Sequence, residues 1–315
     1  MTGDKIAQRT AFGKCLVEIA DEFPNMVVLD PDVGPSTQTS IFKESYPDRF
    51  YNTGIAEQNT VGMAAGMTNI GLVPWVSAFA VFLTHRSGDQ IRNSVAHPRA
   101  NVKLNGSYAG LPTGRAGATH SAVEDTAVMR SLPNMTIIEP ADAVETRYFT
   151  RLATEMNGPV YLRTVRCDVP VIFPDTHRPE FGRAVLLNEG TDISFITTGM
   201  MTERVLKAAD ILKKKGIYSD VLHFPVIKPL DDKAVIKTAR KTGLIITVEN
   251  HSVIGGLGSA VCETVTENAP CRVKRLGYKD IFLESGDDEV LFDRYGLNAL
   301  RISEFALNAL KRIVK

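Results

Sequence analysis

Residues 54–71 read GIAEQNTVGMAAGMTNIG, and the fold prediction starts from this stretch. Its apolar residues recur at helical spacing, which predicts a helix with Glu57 in the first turn. The ordinary role of an acidic residue there is to complement the helix dipole. Burial of this carboxylate against a closely packed element would be costly unless it shared a proton, which makes Glu57 a functional candidate. The small residues that allow such close packing are Gly62, Ala64, Ala65 and Gly66.

Short β-rich runs alternate with helical patterns on both sides of this helix. In the first half, the predicted strands are Met26–Asp30, Leu72–Phe79, Val102–Tyr108, Met135–Glu139 and Val160–Arg166. In the second half, they are Ile193–Thr198, Ser219–Phe224, Leu244–Glu249 and Arg272–Leu276. Apolar strands that alternate with helices form parallel sheets covered on both faces, so the sequence predicts an α/β fold.

A polar stretch that contains several prolines interrupts this alternation after residue 168. Proline removes a backbone donor and fixes φ, which is typical of an extended linker. We therefore predict two domains, 1–170 and 191–315, joined by a linker at 171–190. Each domain is expected to hold a mostly parallel sheet covered by helices.

The composition excludes several classes of protein. Lys and Arg together number 36, as do Asp and Glu, so the chain has no basic excess that would attract nucleic acid. None of the four cysteines forms a CxxC pair, which argues against a zinc site or a disulfide framework. No apolar stretch reaches the roughly 18 residues of a membrane span, and the N-terminus lacks a signal-peptide pattern. We expect a cytoplasmic enzyme or enzyme subunit.

Three rings lie where first-half strands are expected to end. Phe79 and Phe82 are three residues apart at a strand-to-helix turn, and His120 follows a Gly-rich loop. Alone, the phenylalanines favour core packing, and such a histidine is as often structural as catalytic. Because open α/β sheets form ligand sites beyond the carboxyl ends of their strands, we place the chemistry on the first domain.

Several segments of the chain together resemble the transketolase family. Those that look like its pyrimidine-binding domain are GIAEQN (54–59), FAVF (79–82), DQIRNSVA (89–96), GATHSAVEDTAVMRSLPN (117–134) and EPADAVE (139–145). Those similar to its C-terminal domain are VENH (248–251) and GGLGSAV (255–261). The resemblance covers nearly the whole chain and implies a thiamine-diphosphate-binding fold followed by a transketolase C-terminal domain.

The resemblance implies roles at the cofactor. Glu57 matches the catalytic glutamate that hydrogen-bonds the pyrimidine nitrogen of thiamine diphosphate and favours its reactive tautomer. Phe82, with Phe79 beside it, matches rings that pack on the pyrimidine face. His85 falls where another aromatic ring is usual, and Asp32 is expected near the cofactor. The cofactor carries the difficult chemistry, while the protein sets tautomer and geometry.

The resemblance also implies a substrate site for sugar phosphates. It is expected to contain Arg9, Ser36, Tyr108, His120 and Arg166, with His120 also taking part in catalysis. Two arginines suit a phosphate monoester, because each guanidinium fork binds its oxygens bidentately. The ordinary alternative is that these arginines form surface salt bridges, which contribute little.

Two positions depart from the family's pattern. Ala116 stands where an aspartate usually contacts a substrate hydroxyl, and Tyr108 stands where a histidine usually helps to hold phosphate. The side chain of alanine cannot accept a hydrogen bond from that hydroxyl. We therefore expect a sugar pair other than xylulose 5-phosphate and ribose 5-phosphate. Arg163, on the same predicted strand as Arg166, is a second phosphate candidate.

The sequence lacks the Gly-Asp-Gly segment that holds metal and diphosphate in this family. A diphosphate needs a cation or a backbone nest, and no other Gly-rich loop here supplies one. The resemblance therefore implies the C-terminal subunit of a split transketolase, without metal ligands of its own. An N-terminal partner subunit would hold Mg²⁺ or another divalent cation and share the thiamine diphosphate. Two chains of each kind are expected to form a heterotetramer in which copies of this chain touch.

Two other functions remain open at this stage. The β subunit of a 2-oxoacid dehydrogenase first component shares the thiamine fold, the glutamate and the two-domain plan. A non-catalytic regulatory subunit would keep the fold without activity, and Ala116 and Tyr108 favour that interpretation. Against it stand Glu57, Phe79, Phe82 and His120, because a subunit without activity has no physical need to keep all four together.

Overall fold

The computed structural model describes residues 3–311. Its strands are β1 (Lys5–Ala7), β2 (Met26–Asp30), β3 (Phe50–Asn52), β4 (Val73–Phe79), β5 (Lys103–Ser107), β6 (Thr136–Ile138), β7 (Val160–Arg163), β8 (Asp168–Pro170), β9 (Val185–Asn188), β10 (Ile193–Thr197), β11 (Ser219–His223), β12 (Val226–Lys228), β13 (Leu244–Ser252) and β14 (Arg272–Tyr278).

The α-helices are α1 (Gln8–Ile19), α2 (Gly34–Thr37), α3 (Ser40–Ser45), α4 (Glu57–Thr68), α5 (Ala80–Arg86), α6 (Gly88–Gln90), α7 (Asp125–Ser131), α8 (Ala143–Glu155), α9 (Met201–Lys213), α10 (Asp232–Thr242), α11 (Leu257–Asn268), α12 (Asp288–Arg294) and α13 (Ala299–Lys311). Two 3₁₀ turns lie at Pro47–Arg49 and Gly114–Ala116, and a π-helix spans Ile91–Ala96.

The strands form two large sheets. The first has seven strands in the order β12-β6-β7-β5-β4-β2-β3, and the second has five in the order β14-β13-β10-β11-β9. Neighbouring strands run parallel, except that β12 and β9 are antiparallel edge strands. Strands β1 and β8 form a separate antiparallel pair. The predicted α/β fold with two mostly parallel, helix-covered sheets is confirmed.

Strand β4 shows why these sequences form a central strand. All seven of its residues are buried, because helices cover both faces of the first sheet. Val76 on one face belongs to a core that includes Val61 of α4 and Leu83 of α5. Trp75 on the other face packs with Phe12 of α1 at 5.2 Å between ring centroids. A strand covered on both faces reads as a nearly continuous apolar run, and in β4 Ser77 is the polar residue within it.

Strand β12 connects the two halves of the chain. It follows β11 of the second sheet directly, yet Val226 lies beside Ile138 at the edge of the first sheet. Strand β9, within the predicted linker at 171–190, forms the edge of the second sheet beside β11. The boundaries of the two domains stay a prediction.

The first turn of α11 is held by a carboxylate from β13. Glu249 is almost fully buried and accepts the backbone N–H groups of Leu257 at 2.8 Å and Gly258 at 3.0 Å. Orphan N–H groups at a helix start favour such an anion. Burial nevertheless dominates and raises the pKa of Glu249 from its ordinary 4.5 to about 7.

We expect Glu249 to make the stability of the chain depend on pH. A carboxyl whose folded pKa is raised stabilises the fold below its unfolded pKa, and this contribution is lost as pH rises through the folded value. Between pH 4.5 and about 7, the loss should reach on the order of 3 kcal/mol at most. In Glu249→Gln, the thermal unfolding midpoint should depend less on pH over this range. Glu267→Gln, at an exposed position of α11, is the matched control, and parallel profiles for all three proteins would contradict the prediction.

Candidate active site

The site is built where parallel strands of the first sheet end. Phe79, the last residue of β4, lies beside Ser107, the last residue of β5. Ligand sites form at this edge in open α/β sheets. Tyr108 follows β5 immediately and stacks on Phe79 with ring centroids 4.0 Å apart. The sheet edge therefore carries two stacked rings at its open end.

Four rings form what we call the aromatic cluster: Phe79, Phe82, Tyr108 and His120. Phe79 precedes α5 directly and Phe82 lies in its first turn, which places the two rings 5.6 Å apart. His120 approaches Phe82 edge-on at 5.2 Å. The structure thus brings His120 to the two phenylalanines, which the sequence placed at the end of a different strand. They form a surface against which a flat ring is able to stack.

Tyr108 is held in an unusual backbone conformation. Its φ is 60°, a left-handed value that costs a non-glycine residue on the order of 1 kcal/mol or more. Its hydroxyl accepts a hydrogen bond from Nη1 of Arg9 at 3.1 Å. The strain is therefore offset by the stacking on Phe79 and by the bond to Arg9, and both fix the phenol.

Two arginines flank the tyrosine ring. The guanidinium carbons of Arg9 and Arg166 lie 5.7 and 5.8 Å from the centre of the Tyr108 ring. Arg9 Nη1 also donates to the backbone carbonyl of Ser36 at 2.9 Å. The predicted substrate residues Arg9, Ser36, Tyr108 and Arg166 therefore meet in one place. Ser36 makes this contact through its main-chain carbonyl and not through its side chain.

Glu57 lies at the other end of the aromatic cluster. It is the first residue of α4, and only 5% of its surface is exposed. Its Oε1 accepts a hydrogen bond from Nη1 of Arg86 at 2.8 Å. The Arg86 guanidinium also lies over Phe82, 4.0 Å from the ring centre. A buried carboxylate therefore faces a flat cationic group that is stacked on an aromatic ring.

Sequence reasoning missed Arg86. The available signal was its position four residues after Phe82 in one helix, since residues at that spacing share a helix face. His85, the predicted pocket residue, shares a hydrogen bond with Oε1 of Glu124 through its Nε2 at 2.8 Å. Because residues 85 and 86 point about 100° apart on a helix, Arg86 takes the direction toward Glu57. The role of His85 at the cofactor stays a prediction.

Asp32 lies in the loop between β2 and α2. Asp32 is exposed with φ 66°, and its Oδ1 accepts the side-chain amide of Asn52 at 2.9 Å. Its position near the cofactor stays a prediction.

Within α4, Ala64 and Ala65 are buried against the sheet. Gly62 has open space where a side chain would be, so this face of the helix leaves room for another element.

Arg163 does not reach the substrate site. Its guanidinium is fully buried and bridges two carboxylates, Asp125 at 2.8 Å and Glu139 at 2.7 Å. It also donates to the backbone carbonyl of Asn250 in the second half of the chain at 3.0 Å. The suggestion that Arg163 binds phosphate is therefore wrong. Its donors are already used inside the protein, whereas Arg166, three residues later, is exposed.

The pKa values of the two carboxylates that flank Arg163 shift in opposite directions. Burial opposes the charged form of both, but Asp125 accepts two hydrogen bonds from Arg163 and one from Tyr161. Burial alone would raise the pKa of Asp125, but the Arg163 charge and the hydrogen bonds from Arg163 and Tyr161 together lower it below its ordinary value. Burial, reinforced by the Asp125 charge, raises the pKa of Glu139. These buried ion pairs therefore have a structural role, at the junction of the two sheets.

Two features that the described residues lack bear on the predictions. Nowhere in residues 3–311 do three His, Cys, Asp or Glu side chains converge as metal ligands would. In the same range, no helix is both long enough and apolar enough to cross a membrane. The side chains that the site does bring together are Glu57 with Arg86, the aromatic cluster and the two flanking arginines.

Comparison with known proteins agrees with this geometry. The family model for the transketolase pyrimidine-binding domain matches residues 4–171, and that for the transketolase C-terminal domain matches residues 182–302. A protein of Methanocaldococcus jannaschii described as a transketolase C-terminal section is 38% identical, with 99% of each chain covered. One subunit of the apulose-4-phosphate transketolase of Phocaeicola vulgatus is 37% identical, over 99% of this chain and 100% of that one.

A solved structure is similar over the same length. It is named "Split gene transketolase, inactive beta4 tetramer", is 44% identical and superposes with a TM-score of 0.89. The superposition covers 98% of this chain and 99% of that chain. With both family models matched in order and relatives aligned end to end, this chain belongs to the transketolase family, as a subunit that carries its pyrimidine-binding and C-terminal domains.

Proposed function

We propose that this subunit transfers a two-carbon ketol unit from a ketose phosphate to an aldose phosphate, using thiamine diphosphate shared with an N-terminal partner subunit. The observation that carries the proposal is the buried Glu57 carboxylate beside Phe82. There the Arg86 guanidinium is a flat cation, hydrogen-bonded at 2.8 Å and stacked at 4.0 Å. An aminopyrimidine is also flat, and it could stack on Phe82 while a ring nitrogen hydrogen-bonds Glu57, so the residues present fit the cofactor.

The roles of the residues follow from their positions. When bound, thiamine diphosphate supplies the nucleophilic carbon that accepts and delivers the two-carbon unit. Glu57 would hold a proton at its carboxylate against the pyrimidine nitrogen, sheltered from water by α4 and the sheet. Phe82 would set the plane of the pyrimidine, and Phe79 would support it from β4. His120, at the edge of Phe82, would exchange a proton or a hydrogen bond with an oxygen atom of the sugar.

We assign the diphosphate and its divalent cation to the partner subunit. The described part of this chain offers no cluster of metal ligands, and an anionic diphosphate needs a cation or a nest of N–H groups. The structural relative is described as an inactive β4 tetramer, which supports activity only with a second kind of subunit. An assembly of two chains of each kind with twofold symmetry would close such an enzyme, and we place it in the cytoplasm.

The sugar phosphates would bind between Arg9 and Arg166. Both guanidinium groups flank the Tyr108 ring, and exposed Arg166 has donors free for an anion that arrives from solvent. Ala116 is exposed and offers no side-chain acceptor to a sugar hydroxyl. The relative from Phocaeicola vulgatus is named for apulose 4-phosphate, which supports a sugar pair other than xylulose 5-phosphate and ribose 5-phosphate.

Reconstitution with an N-terminal partner that carries the Gly-Asp-Gly segment tests the function. The mixture, with thiamine diphosphate and Mg²⁺, should transfer a two-carbon unit between sugar phosphates, and this chain alone should not. Pyruvate-type acids are the second set of substrates, because turnover of those alone would indicate the β subunit of a 2-oxoacid dehydrogenase. An assembled, cofactor-bound complex without turnover on either set would indicate a regulatory subunit.

We expect Arg166→Met to weaken substrate binding far more than turnover. Loss of a guanidinium that binds phosphate removes a charge-assisted hydrogen bond worth about 1.5–3 kcal/mol, so KM for the phosphorylated sugar should rise roughly tenfold or more. A contact made equally in the ground and transition states changes KM and leaves kcat nearly intact. Arg301→Met, at an exposed ion pair in α13, is the control. An unchanged KM would remove Arg166 from the site.

A further inference from the structure

The two partners in the Arg86–Glu57 ion pair differ in their exposure to solvent. Glu57 is 5% exposed, whereas the side chain of Arg86 is 47% exposed. A buried carboxylate without a partner is costly, so the pair matters more to Glu57 than to Arg86. The arginine can exchange its place for water with little loss, since half of its surface already faces solvent. Arg86 is therefore a removable partner for a carboxylate that needs one.

Arg86 lies in the position proposed for the aminopyrimidine. It uses the Oε1 atom of Glu57 and the face of Phe82, at 2.8 and 4.0 Å. Two flat groups cannot stack on the same face of one ring. Arg86 and a bound pyrimidine therefore exclude each other, which is a geometric consequence of the contacts in this chain.

We propose that Arg86 is a placeholder, which neutralises Glu57 and covers Phe82 while the cofactor is absent and swings outward when the pyrimidine enters. The inference rests on the proposed function, since it assumes that thiamine diphosphate uses Glu57. It adds a regulatory step that involves this chain alone. The protein keeps its buried carboxylate paired until a partner brings the cofactor, and the apparent affinity for cofactor includes the displacement of Arg86.

The size of the effect follows from the population of the closed state. If Arg86 covers the site in about nine molecules of ten, the apparent Kd for the cofactor is raised about tenfold over the open site. Arg86→Gln should therefore bind thiamine diphosphate about tenfold more tightly in the assembled complex. Arg86→Lys should fall between the two, since an ammonium keeps the charge but loses the flat fork that stacks on Phe82.

The first measurement is a calorimetric titration of the reconstituted complex with thiamine diphosphate at saturating Mg²⁺. Arg151→Gln is the matched control, because Arg151 is another half-exposed arginine in ion pairs, located on α8. It should bind the cofactor as the unmodified complex does. Equal or weaker binding by Arg86→Gln, with Arg151→Gln unchanged, would overturn the placeholder.

The second measurement is a double-mutant cycle on the isolated chain without cofactor. Arg86→Gln should lower the thermal unfolding midpoint by a few degrees, because Glu57 loses its partner. In a Glu57→Gln background, the same substitution should have little effect. Additive midpoint shifts would show that the two side chains are not coupled and would overturn the proposal.

The two proposals fail in different ways. If Glu57→Gln leaves turnover intact, the proposed function fails, whatever Arg86 does. If Glu57→Gln abolishes turnover but Arg86→Gln changes neither the cofactor Kd nor the coupling, only the placeholder fails. The isolated chain supplies the coupling result even where a variant does not assemble with its partner.

Discussion

Glu57→Gln should reduce the turnover of the reconstituted enzyme by about 10²–10⁴-fold, the usual contribution of a positioned proton donor or acceptor. The substitution keeps the size of the side chain and its fit in the first turn of α4, where the carboxylate is buried. A glutamine amide cannot share a carboxyl proton with the pyrimidine nitrogen. Turnover should therefore collapse while the fold and the assembly with the partner remain.

Steady-state ketol transfer measures this loss, and size-exclusion chromatography checks assembly. Glu155→Gln is the matched control, since Glu155 ends α8 and forms only an exposed ion pair with Arg151. The control should keep full turnover. If Glu57→Gln retained more than about a tenth of the activity, Glu57 would not be the residue that acts on the cofactor.

Arg163→Met should destabilise the chain by about 3–5 kcal/mol, the usual result of removing one partner from a buried ion pair. The change leaves the carboxylates of Asp125 and Glu139 without their cation in a site where none of the three side chains reaches solvent appreciably. It also removes the hydrogen bond to the carbonyl of Asn250, which ties the first sheet to β13.

Urea titration measures the free energy of unfolding, and Trp75 fluorescence reports on the first sheet, because this is the single tryptophan. Arg166→Met provides the comparison, since it is the same substitution three residues away at an exposed position, and should stay within about 0.5 kcal/mol of the unmodified chain. A loss below about 1 kcal/mol in Arg163→Met would mean that the two carboxylates find other partners, or protonate, without difficulty.

Much of the fold could be predicted from the sequence, because central strands carry their own signal. Met26–Asp30 and Val73–Phe79 are buried on both faces and appear as apolar runs between helical patterns. Strand β12 gave no such signal, since Val226–Lys228 is three residues long and is followed by proline. Its place at the edge of the first sheet depends on contacts with residues almost ninety positions earlier, which local periodicity does not report.

The site divides in the same way. Motifs located Glu57, Phe79, Phe82 and His120, and the rings of the last three do meet. The motifs could not tell which of two neighbouring helix residues points toward Glu57, and attention fell on His85 instead of Arg86. Direction around a helix depends on where the helix lies against the sheet, so this information appears only when the tertiary structure is formed.

Strand β12 completes the first sheet from a late position in the sequence, and this has a consequence for the synthesis of the chain. The first sheet lacks its outermost ladder until residue 228 has left the ribosome, although its other strands are complete by residue 163. Until then, the open side of β6 offers unpaired backbone groups to any extended chain nearby. A truncated fragment ending between the two family-model matches would keep that exposed edge permanently, and should aggregate during expression where the intact chain does not.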